Sequence, residues 1–209
     1  MLNAGVLTFR EFAMREQLPL AEIQAEVLEF LRNRDDVVVF GAQAVNAWVD
    51  EPRMTQNIDL LALEAGELAE EIRSHLNQRF DIAVRVREVK TKLGYRVYQI
   101  QKAGNRHLVD IRAIAALPIS ERIEQVLVMA PVELLAYKVM AYYRRRGKPK
   151  AGTDWRDIAM LLLRFPQFQE NPALVAERLE AAEATPEMIS LWHELAQQII
   201  ESVDEDEDF

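Results

Sequence analysis

The 209-residue chain contains no cysteine, which excludes disulfide frameworks, zinc ribbons and thiol catalysis. It has few histidines, and they fall in separate predicted elements: His75, His107 and His193. Neither a histidine zinc cluster nor a Ser-His-Asp triad is therefore supported. No segment approaches the roughly 20 apolar residues of a membrane span, and the first residues lack the pattern of a secretion signal. We expect a soluble, cytoplasmic protein with no membrane partner.

Half of the residues are hydrophobic, which is enough for a sizeable core and argues against disorder. The formal net charge is −9 at pH 7, but six acids lie in the terminal ESVDEDEDF. We interpret residues 204–209 as a solvated acidic tail, and the alternative is a segment that mimics or blocks a phosphate site.

The hydrophobic pattern predicts an α/β (α+β) fold, in which a mixed β-sheet is flanked by helices and followed by a C-terminal helical bundle. An amphipathic helix precedes the β-branched run that ends at Gly41, and a short helix follows this strand. NIDLLAL then reads as a buried strand, and AGELAEEIRSHLNQRF as a helix. From Asp81, three alternating runs predict an antiparallel meander, and beyond Pro131 everything reads as helical. The predicted domains are 1–129 and 130–203, followed by the tail.

Polar residues interrupt the buried strand NIDLLAL and suggest a site. Side chains two residues apart point to the same face of a strand, so Asn57 and Asp59 can share a hard cation. Gly41, at the strand-to-helix turn, lets backbone N–H groups approach a phosphate. If the strand of Asp110 lies beside NIDLL, the two aspartates can hold one divalent ion, as phosphoryl transfer requires. Each residue also has a structural interpretation. Asp59 can be a strand-end residue that forms a hydrogen bond with a loop, and Asn57 can be a hydrogen-bonding residue of its strand. Asp110 can form an ion pair with Arg112 on the same face.

The order of these features resembles the nucleotidyltransferase superfamily signature, in particular the AbiEii-like toxins and minimal nucleotidyltransferases. The signature consists of a glycine with a small residue, followed on the next strand by an Arg-x-Thr-x-acid-x-acid cluster. The matching residues in this chain are Gly41-Ala42, Arg53, Thr55, Asn57 and Asp59. The segment LLAYKVMAYYRRRGKPKAGTDWRDIAMLL is similar to the AbiEii-type lysine helix, basic loop and Asp-x-x-Asp helix. Its matching residues are Lys138, Asp154 and Asp157. The resemblance covers residues 36–163 and implies a nucleotidyltransferase fold.

The resemblance implies an enzyme that uses Mg²⁺ to transfer a nucleoside monophosphate from a nucleoside triphosphate to a hydroxyl of RNA, protein or a small molecule. The implied catalytic residues are Asp59, Asp110, Asn57, Lys138 and Asp157. The implied metal ligands are Asn57, Asp59 and Asp110, and the implied nucleotide-binding residues are Gly41, Ala42, Arg53, Thr55 and Lys138. Relatives of this kind often act as toxins of toxin–antitoxin pairs, so RNA or an antitoxin protein is an expected partner.

The sequence departs from the signature at two positions. Asn57 replaces the first acid, and a neutral amide is a weaker cation ligand than a carboxylate. Ala42 replaces glycine or serine, so no hydroxyl can reach a phosphate there. The alternative function is therefore a catalytically weakened protein of this fold, with a partly degenerate acid motif, that binds nucleotide, RNA or a protein partner without turnover.

The matching residues also have structural interpretations. The loop residues of the signature can simply hold the loop ahead of the strand. Lys138 can lay its stem along an apolar helix face with its amine in water. Asp154 can cap the start of a helix, and Asp157 can pair with Arg156 or with the arginine run Arg144–Arg146.

Overall fold

The computed structural model describes residues 18–91, 93–102 and 104–201. The chain divides into two compact units, one of Met1–Ala47 with Pro52–Ala130 and the other of Trp48–Glu51 with Pro131–Phe209. The acidic tail predicted at 204–209 lies outside the described residues.

The described part of the first unit is built on a mixed sheet with three helices. Its strands are β1 (Val37–Phe40), β2 (Ile58–Ala62), β3 (Val84–Lys90), β4 (Gly94–Gln99), β5 (Arg106–Ala113), β6 (Ser120–Ile123) and β7 (Val126–Met129). Its helices are α1 (Leu20–Phe30), α2 (Gly41–Trp48), whose last residue belongs to the second unit, and α3 (Ala65–Phe80). The strand order is β3-β4-β5-β2-β1-β7-β6. The predicted mixed sheet and its flanking helices are thus confirmed.

The predicted meander forms β3, β4 and β5, which pair antiparallel. The last hairpin, β6–β7, is absent from the sequence prediction. Its turn residues Glu124 and Gln125 both have positive φ, 48° and 68°. Such turns normally carry Asn-Gly or Asp-Gly, so the usual sequence signal of a hairpin is missing here. Parallel pairing joins β7 to β1 and β5 to β2.

Helix α3 packs on one face of the sheet, and this decides which side chains lie on the other. A Cβ added to Gly66 of α3 would lie 3.1 Å from the hydroxyl of Tyr95, so that ring faces the helix. Tyr95 pairs with Ile111, which is buried. Because side chains alternate along a strand, the neighbouring Arg96 and Asp110 lie on the opposite face. We call this second face the site face.

The second unit is helical within the described residues. Its helices are α4 (Pro131–Arg144), α5 (Pro149–Arg164), α6 (Gln167–Glu170), α7 (Ala173–Ala181) and α8 (Pro186–Ala196). Helix α4 packs against α5, α7 and α8. The fully buried Trp192 donates a hydrogen bond from Nε1 to the carbonyl oxygen of Pro172 at 2.8 Å, which ties α8 to the start of α7. None of the helices described in either unit is long and apolar enough to cross a bilayer.

Gly41 allows β1 to turn directly into α2. Its φ is +71°, a left-handed conformation that residues with a side chain seldom adopt. A Cβ at this position would lie 3.0 Å from both Cβ and Cγ of Asp59 and would overlap its carboxylate oxygen Oδ2. The glycine therefore makes room for Asp59 as well as for the turn.

We expect Gly41→Ala to lower the free energy of unfolding by at least about 1–2 kcal/mol, the cost of a left-handed backbone at a residue with a side chain. The overlap with Asp59 adds to this cost. Urea unfolding of the purified variant measures the change. Gly94→Ala is the matched control in the same unit, because its added Cβ meets only the carbonyl oxygen of Ile111, at 3.9 Å. Equal losses in the two variants would contradict this explanation.

Candidate functional site

A single cross-strand row on the site face brings the predicted acids together. Asp59 of β2 pairs with Asp110 of β5 in parallel register, and Asp110 pairs with Arg96 of β4. The row extends to Phe40 of β1 beside Asp59, and to Arg87 of β3 beside Arg96. The condition set by the sequence, that the two acidic strands be neighbours, is therefore met. The two carboxylates, both half-buried, lie side by side.

Asn57 connects the two acids. It lies just before β2, which begins at Ile58, and not within the strand as its sequence suggests. Its amide nitrogen Nδ2 donates to Oδ1 of Asp59 at 3.2 Å and to Oδ2 of Asp110 at 3.4 Å. Three oxygen-bearing side chains thus converge on one point.

The other oxygen of Asp110 faces two basic residues. Nε of Arg96 donates to Oδ1 at 2.7 Å, and Nε2 of His107 lies 3.4 Å from the same oxygen. Arg112, the partner predicted from the sequence, instead places its guanidinium 5.0 Å from the ring centre of Phe40. The alternative that Asp110 forms an ion pair is therefore confirmed, but the predicted partner is wrong. The arginine in contact with Asp110 lies on the neighbouring strand β4 rather than on β5.

These contacts govern the charge state of the site. Burial raises the pKa of Asp110, but contact with His107 and then with Arg96 outweighs it, so this pKa lies below its usual range. The pKa of Arg96 is raised, first by its hydrogen bond with Tyr98 and then by Asp110. At neutral pH, Asp110 is therefore an ionised carboxylate.

The donor chemistry of this point fits one divalent cation. Carboxylate oxygens of Asp59 and Asp110 are the hard ligands that Mg²⁺ prefers. A half-turn of the Asn57 amide exchanges its nitrogen for its oxygen at the position between the acids. Among the described residues, no group of three or more His, Cys, Asp or Glu side chains could hold a metal. With an amide in place of the first acid, the set suits one ion rather than two.

The remaining signature residues of the first unit make separate local contacts. Gly41 and Ala42 open α2 beside Asp59. The Thr55 hydroxyl donates to the buried Gln43 at 3.4 Å.

The loop before β2 is also held through its backbone. The buried Asn46 accepts from the backbone N–H of Arg53 at 3.0 Å and donates to its carbonyl oxygen at 2.7 Å. These bonds support the loop-holding interpretation of Arg53 and Thr55, while their contact with a nucleotide remains a prediction.

Two ion pairs connect α5 with α4 and with Arg145, the residue that follows α4; the first pair is buried and the second is half-buried. Nζ of Lys138 lies 2.6 Å from Oδ2 of Asp157, and these side chains are 10% and 0% exposed. Nη1 of Arg145 contacts both oxygens of Asp154, at 2.9 and 2.8 Å. A solvated amine for Lys138 is thus wrong, and Asp157 pairs with this lysine. Arg156 donates a hydrogen bond to the carbonyl oxygen of Glu51.

Asp154 does not cap a helix, contrary to the capping interpretation. Helix α5 begins at Pro149, so Asp154 lies within it and is 2% exposed. Proline is favoured at the first helical position, and here it starts the helix five residues earlier. The catalytic roles implied for Lys138 and Asp157 remain predictions.

Sequence reasoning missed the roles of Arg96, His107 and Tyr98. Arg96 reaches Asp110 only because β4 and β5 pair in one particular register. A bulge between Val97 and Tyr98 then places His107 opposite Tyr98, with ring centres 5.0 Å apart. No local pattern of sequence gives the register of two strands or the position of a bulge.

A family model described as "Nucleotidyl transferase AbiEii toxin, Type IV TA system" matches residues 25–208, which is most of the chain. No curated relative matches the chain at the sequence level. The family match includes the acid pair of the first unit and the Lys138–Asp157 and Arg145–Asp154 pairs of the second unit.

Solved structures that share this fold include the following two. The crystal structure of the Megavirus polyadenylate synthase superposes with a TM-score of 0.59 at 11% identity, covering 75% of this chain and 34% of the synthase. The chain thus spans about a third of that protein. JHP933 from Helicobacter pylori superposes with a TM-score of 0.54 at 13% identity, covering 92% of each chain. At such identities the likeness shows the fold alone, and it confirms the predicted nucleotidyltransferase fold.

We expect Lys138→Met to lower the free energy of unfolding by about 3–5 kcal/mol, because it leaves the buried Asp157 carboxylate without its cation. Lys138→Met combined with Asp157→Leu should lose less, since no buried charge remains. Urea unfolding compares these variants. The control Arg164→Met removes a cation 4.0 Å from the 90% exposed Asp50 and should cost less than about 1 kcal/mol. A double variant less stable than Lys138→Met would contradict the buried-pair explanation.

Proposed function

Because the chain belongs to the AbiEii family of nucleotidyl transferase toxins, we propose that it transfers a nucleoside monophosphate from a nucleoside triphosphate to a hydroxyl acceptor. The acceptor hydroxyl of an RNA, a protein or a small molecule forms a bond to the α-phosphorus, and pyrophosphate leaves. The proposal places the protein in the cytoplasm, as the toxin of a toxin–antitoxin pair with an antitoxin partner.

The register of Asp59 with Asp110 is the observation that carries this proposal. Two half-buried carboxylates side by side repel each other, and this arrangement is unfavourable unless something positive joins them. Phosphoryl transfer requires concentrated positive charge, which Mg²⁺ held by Asp59, Asp110 and the amide oxygen of Asn57 supplies. The acid pair is thus suited to the chemistry of the family.

The chain's own groups have separable tasks in this proposal. Asp59 and Asp110 hold the cation, and Asn57 contributes a weaker, neutral ligand. Gly41 leaves the start of α2 open, where backbone N–H groups and the helix dipole favour a phosphate. Ala42 adds no hydroxyl there.

The proposal also assigns nucleotide contacts to Arg53, Thr55 and Lys138, and a catalytic role to Asp157. For Lys138 and Asp157, the buried ion pair supports a role in fixing α4 against α5. A nucleotide contact of Lys138 therefore requires its amine to leave or share Asp157.

We expect Asp59→Ala and the isosteric Asp59→Asn to abolish nucleotide transfer, because each removes one of the two charged cation ligands. The assay follows incorporation from each of four labelled nucleoside triphosphates, with Mg²⁺, into RNA, protein and small-molecule acceptors. Asp50→Ala is the control, since this side chain is 90% exposed. Unchanged transfer by both Asp59 variants would refute the assignment.

A second candidate function is nucleotide, RNA or partner binding without turnover, and the geometry of Asn57 favours it. The amide nitrogen of Asn57 donates hydrogen bonds to both acids. These bonds already reduce the repulsion between the two carboxylates that a cation would otherwise relieve. A site stabilised in this way has less need of a metal. Wild-type protein that binds nucleotide but transfers none would support this function.

We expect Asn57→Asp to raise the affinity for Mn²⁺, because a third carboxylate replaces a neutral ligand at the same point. Calorimetric titration of Mn²⁺ measures the change, and the transfer assay shows whether turnover appears with it. Asn77→Asp makes the same charge change at an exposed position on α3, where Nδ2 donates to the carbonyl oxygen of Ile82. An affinity unchanged in Asn57→Asp, or raised equally in both variants, counts against a metal site at Asn57.

A further inference from the structure

The two carboxylate oxygens of Asp110 face different neighbours. Oδ1 accepts from Arg96 at 2.7 Å and lies 3.4 Å from His107. Oδ2 lies 3.4 Å from the amide of Asn57, which also contacts Asp59. Since β5 lies between β4 and β2, one oxygen is held toward β4 and the other is directed toward the acid of β2.

Asp110 and three neighbouring side chains form a closed cycle of contacts that includes Oδ1. Arg96 forms a hydrogen bond with Tyr98, whose ring lies 5.0 Å from that of His107, centre to centre, with a tilt of 30°. His107 and Arg96 both contact Asp110. Arg87 is the cross-strand partner of Arg96 on its far side, so like-charge repulsion favours the position of Arg96 over β5.

A contribution to fold stability does not explain the ion pair of Arg96 with Asp110. The side chains of Arg96 and Asp110 are 42% and 23% exposed. Ion pairs accessible to solvent contribute little to stability, because water screens them and the side chains lose rotamer freedom. An arginine that fixes the direction of a carboxylate therefore has more effect on what that carboxylate binds than on whether the chain folds.

We propose that Arg96 is a positioning residue for Asp110: by holding Oδ1, it directs Oδ2 toward the point shared with Asn57 and Asp59. This inference rests on the proposed function, since it takes the divalent cation site as its starting point. Groups that hold the ligand side chains of a metal site set their orientation and strengthen binding. A carboxylate already fixed in direction loses less rotamer freedom when the cation binds.

The experiment measures Mn²⁺ affinity of the full chain by calorimetry, without nucleotide, in matched variants. Arg96→Met removes both the charge and the donor, and we expect it to weaken Mn²⁺ binding about tenfold. Arg96→Gln removes the charge but keeps an N–H donor, and should remain within about threefold of the wild type, a range typical of an exposed charge. Thermal unfolding and circular dichroism confirm that each variant is folded.

Arg112→Met is the control for general electrostatics. Arg112 carries the same charge on the site face two residues along β5, but its guanidinium lies over Phe40. Unchanged Mn²⁺ affinity in Arg112→Met, together with a loss in Arg96→Met, supports positioning. Equal losses in the two variants would overturn it.

Tighter or unchanged Mn²⁺ binding by Arg96→Met would also overturn the inference, because Arg96 would then compete with the cation or be indifferent to it. If Asp59→Ala removes Mn²⁺ binding while Arg96→Met leaves it intact, the inference fails and the proposed function stands. If neither the wild type nor any variant binds Mn²⁺, the proposed cation site fails, and the positioning role fails with it.

Discussion

The parallel pairing of β2 with β5 sets two carboxylates, Asp59 and Asp110, next to each other on one face of the sheet. Like charges directly opposite in a sheet are unfavourable, so the rest of the site is organised around this repulsion. Asn57 donates to both acids, and Arg96 neutralises one of them from the neighbouring strand. The backbone of Gly41 gives the other acid the space it needs. Removal of Asn57 or Arg96 therefore leaves the acid pair less compensated.

The second unit handles charge differently. Lys138 and Asp157 form a buried ion pair between α4 and α5, and Arg145, just beyond α4, contacts the buried Asp154. In the first unit, Asp59 and Asp110 are half-buried, both contact the amide of Asn57, and Asp110 also pairs with Arg96. A fully desolvated ion pair such as Lys138–Asp157 holds two helices in one arrangement.

Much of the first unit could be predicted because its signals are local. The β-branched run before Gly41, the apolar stripe of α3 and the alternating meander each follow from short stretches of sequence. The β6–β7 hairpin could not, since Glu124 and Gln125 occupy turn positions that usually carry Asn or Gly.

Within the site, the shared face of Asn57 and Asp59 followed from their spacing. The pairing of Asp110 with Arg96 depended on strand register, which two-residue alternation does not define. The capping interpretation of Asp154 failed for a related reason. A short polar residue before an apolar run is typical of a helix start, and only the longer context with Pro149 shows that the helix had already begun.

The Asn57–Asp110 contact joins residues 53 positions apart in the chain. Closing so long a loop is slow relative to forming the adjacent strands of the meander, whose contacts are local. During folding, β4 and β5 can therefore bring Arg96 to Asp110 before β2 docks beside them. The Arg96–Asp110 contact can then precede the contact with Asn57 and Asp59, and the three side chains converge only when the central strands have joined.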